Sequence, residues 1–196
     1  MMLIAAFENP VDDAQSTFRT LLSALAEPLL PRALPVLPDA PAGLTPAGAA
    51  LLLTLCDADT AVWLPPQLLE AADYLRFHAG ARLVADVADA DFVYIPHGAA
   101  LPDLASLKNG SVEYPDRSAT LIIDAEGFSK GDGETSITGS GPGFAAPRKL
   151  DIKGLAEPFW PDWRAAASRF PQGVDVFFVA GDKVVGLPRT TRIEGR

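Results

Sequence analysis

The run VDVFFVAGDKVVGL, residues 174–187, constrains this chain more than any other feature. Two stretches rich in Val and Phe flank Gly181-Asp182, a pair suited to a two-residue turn of type II′, so the run predicts a β-hairpin. A lone hairpin is marginal in water and needs a larger sheet to join. The rest of the chain supplies one, because further strand-like runs alternate with helix-like segments.

FENPVDDAQSTFRTLLSALAEP predicts the first helix. Asn9 can cap it, Pro10 suits its first position, and Asp12 and Asp13 favour the positive end of its dipole. Ala14, Phe18, Leu21, Leu22 and Leu25 recur at helical spacing as one apolar stripe, and Pro28 ends it. Residues 28–46 are broken by prolines and read as a connection lying against the body of the protein. Thr45 then caps a helix that is apolar nearly all round as far as Cys56, which implies burial, although Gly48 weakens its propensity. Ala61–Leu64 is a short strand. Leu68, Leu69, Ala72 and Leu75 mark a second amphipathic helix stopped by Gly80. Phe92–Ile95 and SATLIID are strands, Leu101–Leu107 a short helix, and FWPDWRAAASRF another helix. The pattern predicts an α/β fold: a single domain over residues 1–196, three-layered, with a mixed sheet flanked by helices.

The chain carries 16 basic and 25 acidic residues, a formal charge of -9, so its global field repels nucleic acid and anionic membranes and any anion site must be local. Cys56 is the only cysteine, which excludes an intrachain disulfide and fits a reducing cytoplasm. MMLIAAFENP has no basic region ahead of its short apolar stretch, so a signal peptide or membrane span is not expected.

Catalytic motifs are sparse. His78 and His97 lie in no metal-binding spacing, and no metal site is expected. There is no Gly-x-Ser-x-Gly elbow, and Cys56 follows a buried helix where thiols are inert. TGSGPGF places Gly139, Gly141 and Gly143 where backbone amides could approach a phosphate, and Arg148 and Lys149 nearby keep that reading open, but it lacks the Walker ending and the dinucleotide pattern, and a tight loop after a strand is the simpler reading. Of five lysines only Lys130, in GFSKGDG, could be weighed for a Schiff base, and a solvated loop lysine is the simpler reading. No catalytic residue and no cofactor are assigned.

FENPVDDAQSTFRTLLSALAEP, EYPDRSATLI and FPQGVDVFFVAGDKVVGLPRTTRI, with GPGF, GLAEPFW, LCDADTAVWL and LRFHAGARLV, resemble the PhnH family, the H subunits of the bacterial carbon-phosphorus lyase system. The likeness runs through nearly the whole chain in order, and its LPRTTRI ending is specific. It implies a part in phosphonate catabolism, in a core complex with G, I and J subunits that moves the ribose triphosphate of ATP onto an alkylphosphonate with loss of adenine; the I subunit is held to do that chemistry. It further implies a homodimer when isolated, and a fold similar to the large domain of PLP-dependent transferases without the cofactor lysine. Two features depart from the family: AEPLLP replaces the usual glycine after Pro28, and the final IEGR, which runs from Ile193 through the tail at residues 194–196, reads either as native or as a protease-site remnant.

The arginines of the ending are the candidate site. On an extended strand Arg189 and Thr191 share one face, Thr190 and Arg192 the other, and each pair suits a phosphate or carboxylate. Tyr114, Asp116 and Arg117 stand at the entrance of a core strand, and with Gly141, Pro142 and Gly143 these groups could surround one pocket for a phosphate-bearing small molecule. The alternative is structural: Arg189 pairs with Glu113 or Asp116 and fixes the last strand in the sheet or the dimer. Trp160 and Trp163 read as core or interface aromatics, with base stacking the minor option. The expected function is a non-catalytic or site-completing subunit. Its rivals are a self-contained nucleotide-binding transferase and a PLP enzyme.

Overall fold

In the computed structural model residues 4–133, 136–155 and 159–195 are described; Met1–Leu3, the Ala156–Pro158 part of GLAEPFW, and Arg196 of the tail lie outside them. The chain runs through α1 (Pro10–Ala26), β1 (Arg32–Ala33), α2 (Pro46–Leu55), β2 (Ala61–Trp63), α3 (Leu69–Ala79), β3 (Arg82–Leu83), β4 (Phe92–Ile95), β5 (Thr120–Asp124), β6 (Gly127–Lys130), β7 (Ile137–Ser140), β8 (Arg148–Lys153), α4 (Phe159–Ala167), β9 (Asp175–Ala180), β10 (Lys183–Leu187) and β11 (Arg192–Glu194).

Seven strands form the main sheet in the order β1-β10-β9-β5-β4-β2-β3. β9, β5, β4, β2 and β3 are parallel neighbours; β10 opposes both β9 and β1, so β10 alone runs against the rest. The predicted hairpin is present: Lys183 faces Ala180 across Gly181-Asp182, and Gly181 takes the positive φ of 57° that such a turn demands. β5 and β9 are continuous apolar runs because both of their faces are covered.

One face carries α1, α2 and α3, whose Leu21, Leu51, Leu52 and Leu75 pack on Val62, Ile122, Phe177 and Val184. The opposite face differs from expectation. Beside α4 it carries a second, four-stranded antiparallel sheet in the order β11-β7-β8-β6. Ile137, Leu150, Ile152 and Ile193 of that sheet join Phe159, Trp160 and Trp163 of α4 over Val93, Leu121, Val176 and Phe178. The predicted single sheet between two helical layers is therefore corrected to a mixed, mostly parallel sheet with helices on one side and a helix plus a small sheet on the other.

Several local expectations hold. Thr45 caps α2, its hydroxyl accepting from the Gly48 N–H at 3.0 Å. Gly80 ends α3 in the left-handed conformation. Others shift. Asn9 gives α1 no side-chain cap; the Asp13 carboxylate accepts from the Asn9 N–H instead. The buried face of α1 is Thr17, Leu21 and Ala24, leaving Phe18 and Leu22 of the expected stripe 43% and 51% exposed. This rotation lets the helix backbone press on β10, where a Cβ on Gly186 would come within 2.5 Å of the Ala24 carbonyl oxygen. Similarly Leu69 of α3 is exposed while Ala71, Tyr74 and Leu75 are buried. Leu101–Leu107 holds only a 3-10 turn over Leu104–Ser106.

The proline-rich connection does lie against the body, burying Leu29, Leu34 and Leu44, but it also contributes the edge strand β1. Leu29 adopts φ 58°, the conformation that glycine favours, at the place where the family glycine was expected. The tail is likewise partly structural. Glu194 pairs with Thr138 in β11, Ile193 is buried, and the Arg164 guanidinium donates to the Gly195 carbonyl at 2.9 Å.

Candidate functional site

Pro188–Thr191 is a turn, closed by the Thr191 N–H on the Pro188 carbonyl at 2.8 Å, and not the extended strand expected from the sequence. The physical reason is that β10 belongs to the main sheet and β11 to the small one, so the chain must change direction between them. The two-faced alternation of Arg189, Thr190, Thr191 and Arg192 is thereby lost.

Arg189 is held from every side. Its Nε and Nη2 grip Asp175 Oδ1 and Oδ2 at 3.2 and 2.6 Å, Nη1 donates to the Pro115 carbonyl at 2.5 Å, and Nη2 also reaches Ser118 Oγ at 2.5 Å. Asp175 Oδ1 accepts from the Arg189 backbone N–H as well, at 2.8 Å. The carboxylate partner is thus Asp175, which opens β9, and neither Glu113 nor Asp116. An acid at the head of the apolar run VDVFFVA was the available signal for it. Arg192 is different: its side chain is exposed and makes no ion pair with a described residue.

Gly141, Pro142, Arg189, Thr190, Thr191 and Arg192 do come together, lining one cavity of about 400 Å³ whose remaining walls are Ala167 and Phe170. Phe170, 59% exposed, gives it an apolar side that the sequence reading missed. Trp163 on α4 fixes the turn, its indole N–H donating to the Thr191 carbonyl at 3.2 Å; Trp160 and Trp163 are both buried, as core residues. Thr191 is 1% exposed, and its hydroxyl has no hydrogen-bond partner among the described residues.

Gly143 does not line this cavity. It sits at φ 83° with the position of its missing Cβ 2.4 Å from the Ala26 carbonyl oxygen, so it seats the GPG loop on the end of α1. Tyr114, Asp116 and Arg117 also stay outside the lining; Arg117 lies 4.4 Å from the Tyr114 ring centre. Their loop reaches the site through the Pro115 carbonyl and the Ser118 hydroxyl on Arg189. It precedes β5 and so stands at the amino end of the parallel strands, opposite the end at which open α/β sheets place ligands.

At the carboxyl end of β5 a different cluster is buried. Asp124, 4% exposed, accepts from the Tyr94 hydroxyl at 2.5 Å and from the Thr45 hydroxyl at 2.9 Å. Burial pushes the Asp124 carboxyl above the usual carboxylate range, against the pull of those two hydrogen bonds. Burial, then the Asp124 charge, pushes the Tyr94 phenol up. A Cβ on Gly48 would lie 2.6 Å from the Tyr94 ring, so the glycine that weakens α2 is what admits the tyrosine. This triad ties the start of α2 to the sheet.

The remaining candidates are unremarkable in place. His78 bonds the Ile4 carbonyl at 3.0 Å. Cys56 is buried, and desolvation with the nearby Asp57 raises its thiol pKa, which suits an inert side chain. Lys130 ends strand β6, so it is a strand residue where a loop lysine was expected. No helix among the described residues is long and apolar enough to cross a membrane.

Comparison with known proteins agrees with the resemblance. The family model described as bacterial phosphonate metabolism protein (PhnH) matches residues 5–194. The alpha-D-ribose 1-methylphosphonate 5-triphosphate synthase subunit PhnH of Rhizobium meliloti is 38% identical over 191 residues, covering 96% of this chain and 94% of the relative. HtxG of Stutzerimonas stutzeri, whose name provisionally makes it a C-P lyase subunit, is 31% identical over 179 residues, 91% of this chain and 85% of the relative. With the match spanning the hairpin, the Pro188–Thr191 turn and the cavity they frame, the chain belongs to the PhnH family of phosphonate metabolism proteins.

Proposed function

We propose that this chain is the H subunit of a carbon-phosphorus lyase core complex and works beside G, I and J subunits, without a catalytic residue of its own. In that complex it supports transfer of the ribose triphosphate of ATP onto an alkylphosphonate with release of adenine, and the isolated chain forms a homodimer in the cytoplasm. The observation that carries this reading is the near full-length likeness to a subunit of the synthase that makes ribose 1-methylphosphonate 5-triphosphate. A main sheet with a single opposed strand supports the expected likeness to the large domain of PLP-dependent transferases. Within the subunit, the cavity beside Arg192 is the contact for a phosphate-bearing ligand or a carboxylate of a partner subunit, since Arg192 and the half-buried Thr190 hydroxyl line it without a partner among the described residues.

Co-expression with the G, I and J subunits tests the assignment. The chain is expected to co-purify with them and to be required for turnover; a complex that assembles and turns over equally well without it overturns the reading. Arg192→Ala is expected to weaken assembly or turnover while the isolated subunit keeps its stability, because exposed arginines away from packing change stability little. The rival, a self-contained nucleotide-binding transferase, requires the lone subunit to release adenine from ATP without G, I and J, and an assay of that release distinguishes the two.

A further inference from the structure

A second cavity of about 400 Å³ lies away from the Arg192 seam, lined by Leu29, Leu30, Pro31, Phe128, Ser129, Lys130, Arg148, Lys149, Leu150 and Lys183. Four of the chain's sixteen basic residues line it, and no acidic side chain of a described residue does, in a protein of charge -9. From this concentration of cations we infer that the groove is an anion-binding site for a condensed phosphate chain, free or carried by a nucleotide. The inference does not rest on the function proposed above.

The four cations come from three strands of the two sheets. Lys130 ends the edge strand β6, where it faces Leu150 on β8. Arg148 and Lys149 begin that same strand β8. Lys183 opens β10 opposite Ala180, the last residue of β9, so it stands at the carboxyl end of the parallel strands, the end at which open α/β sheets place ligands. The meeting of β6 and β8 of the small sheet with the start of β10 in the main one, rather than any sequence motif, creates the cluster.

The cations also divide by role. Arg148 is anchored: its guanidinium donates to the carbonyls of Pro28 and Glu27 and lies 5.5 Å from the centre of the Phe144 ring. Lys130, Lys149 and Lys183 are exposed and make no ion pair with a described residue. Of the acidic residues next to this wall, Glu27 is committed to Arg32, and Asp151 accepts from the Ser129 hydroxyl at 3.3 Å. Three mobile point charges around one fixed guanidinium suit several phosphate oxygens spread along a chain better than a single carboxylate. The floor is apolar, with Leu29 and Leu150 buried. Leu29 is also the one non-glycine residue at positive φ among those described, a conformation that clusters at ligand sites.

Titration calorimetry of the purified full chain with inorganic tripolyphosphate tests the site, with ATP and poly-L-glutamate run alongside. Tripolyphosphate is expected to bind, and more weakly as salt rises from about 50 to about 200 mM, because exposed cations are screened. Lys130→Glu and Lys183→Glu, on separate strands, are each expected to weaken it on the order of tenfold or more, the scale of a charge-assisted contact. Arg82→Gln, an exposed cation on β3 at the far end of the main sheet, is expected to leave it unchanged. ATP binding alongside tripolyphosphate, with the same loss in the variants, assigns a nucleotide source; tripolyphosphate alone assigns a free one. Absence of tripolyphosphate binding overturns the proposal. So does binding lost in Arg192→Ala and kept in the lysine variants, or poly-L-glutamate bound as tightly, which reduces the groove to bulk charge. Lys130→Gln and Lys183→Gln, checked for folding by circular dichroism, carry the same comparison if a reversal unfolds the edge.

Discussion

Arg189 and Asp175 form a two-pronged pair, with 3.2 Å from Nε to Oδ1 and 2.6 Å from Nη2 to Oδ2, at the point where β9 begins and β10 has just ended. The two side chains are only 16% and 23% exposed, so removing either leaves a half-buried charge without its partner. Arg189→Ala and Asp175→Ala are each expected to cost about 2–4 kcal/mol in urea denaturation, below the loss for a fully buried pair. The double variant is expected to cost less than the sum of the two. Additive losses would show that the contacts to Pro115 and Ser118, and not the ion pair, hold the turn.

The GPG loop gives a second comparison. Gly143 takes φ 83° and its added Cβ would meet the Ala26 carbonyl oxygen at 2.4 Å, whereas Gly98 takes φ 75° with nothing within 4 Å of the same position. Both substitutions to alanine pay the left-handed strain, of about 1 kcal/mol. Only Gly143→Ala must also push α1 from the loop, so it is expected to lose about 2 kcal/mol more than Gly98→Ala in thermal or urea unfolding.

Much of this architecture was readable in the residues. Thr45 before an apolar run, Gly80 after a periodic one, and Gly181-Asp182 between two Val-rich stretches each name their structure by local stereochemistry. The small sheet was not read. Its strands GFSK, ITGS and RKLDIK bury one face only, through Ile137 and Gly139 on β7 and Leu150 and Ile152 on β8, so no continuous apolar run announces them. That omission explains the misreading of PRTT, because a turn is required there only once two sheets exist. It also hid the cationic groove, whose lysines are far apart in sequence and meet where β6 and β8 of the small sheet come beside β10 of the main one. Six of the ten candidate residues do share one cavity, whereas Tyr114, Asp116, Arg117 and Gly143 serve the loops around it.

Asp124 predicts a pH dependence. Its folded-state pKa is raised above the ordinary carboxylate value, chiefly by burial. A group raised on folding binds its proton more tightly in the native state, so its contribution is complete below the unfolded value of about 3.9 and is lost as pH rises through the folded value. Asp124→Asn removes that titration while retaining an acceptor for Tyr94 or Thr45. The stability of wild type relative to Asp124→Asn, from urea midpoints across the acidic range, is expected to fall as pH rises. A difference that rises with pH would mean that the hydrogen bonds from Tyr94 and Thr45 outweigh burial.

Leu29 sets strain against burial at a single residue. Its φ of 58° disfavours any side chain, yet the side chain is 1% exposed and packs in the core beneath the cationic groove, close enough that a Cβ on Gly139 would lie 2.4 Å from its Cδ1. Leu29→Ala removes the packing and keeps the strain, at a cost of about 2–5 kcal/mol for a buried leucine. Leu29→Gly removes both: it loses the same packing, regains about 1–2 kcal/mol of left-handed strain, and gives back up to about 1 kcal/mol through the more flexible unfolded chain. Glycine is therefore expected to be tolerated as well as or better than alanine, the reverse of the usual order within regular structure, and both variants are expected to be less stable than wild type. Urea denaturation of the two decides it. If alanine proves clearly the more stable, the backbone at this position relaxes out of the left-handed region once the leucine is gone, and the buried side chain is what holds the strained conformation in place.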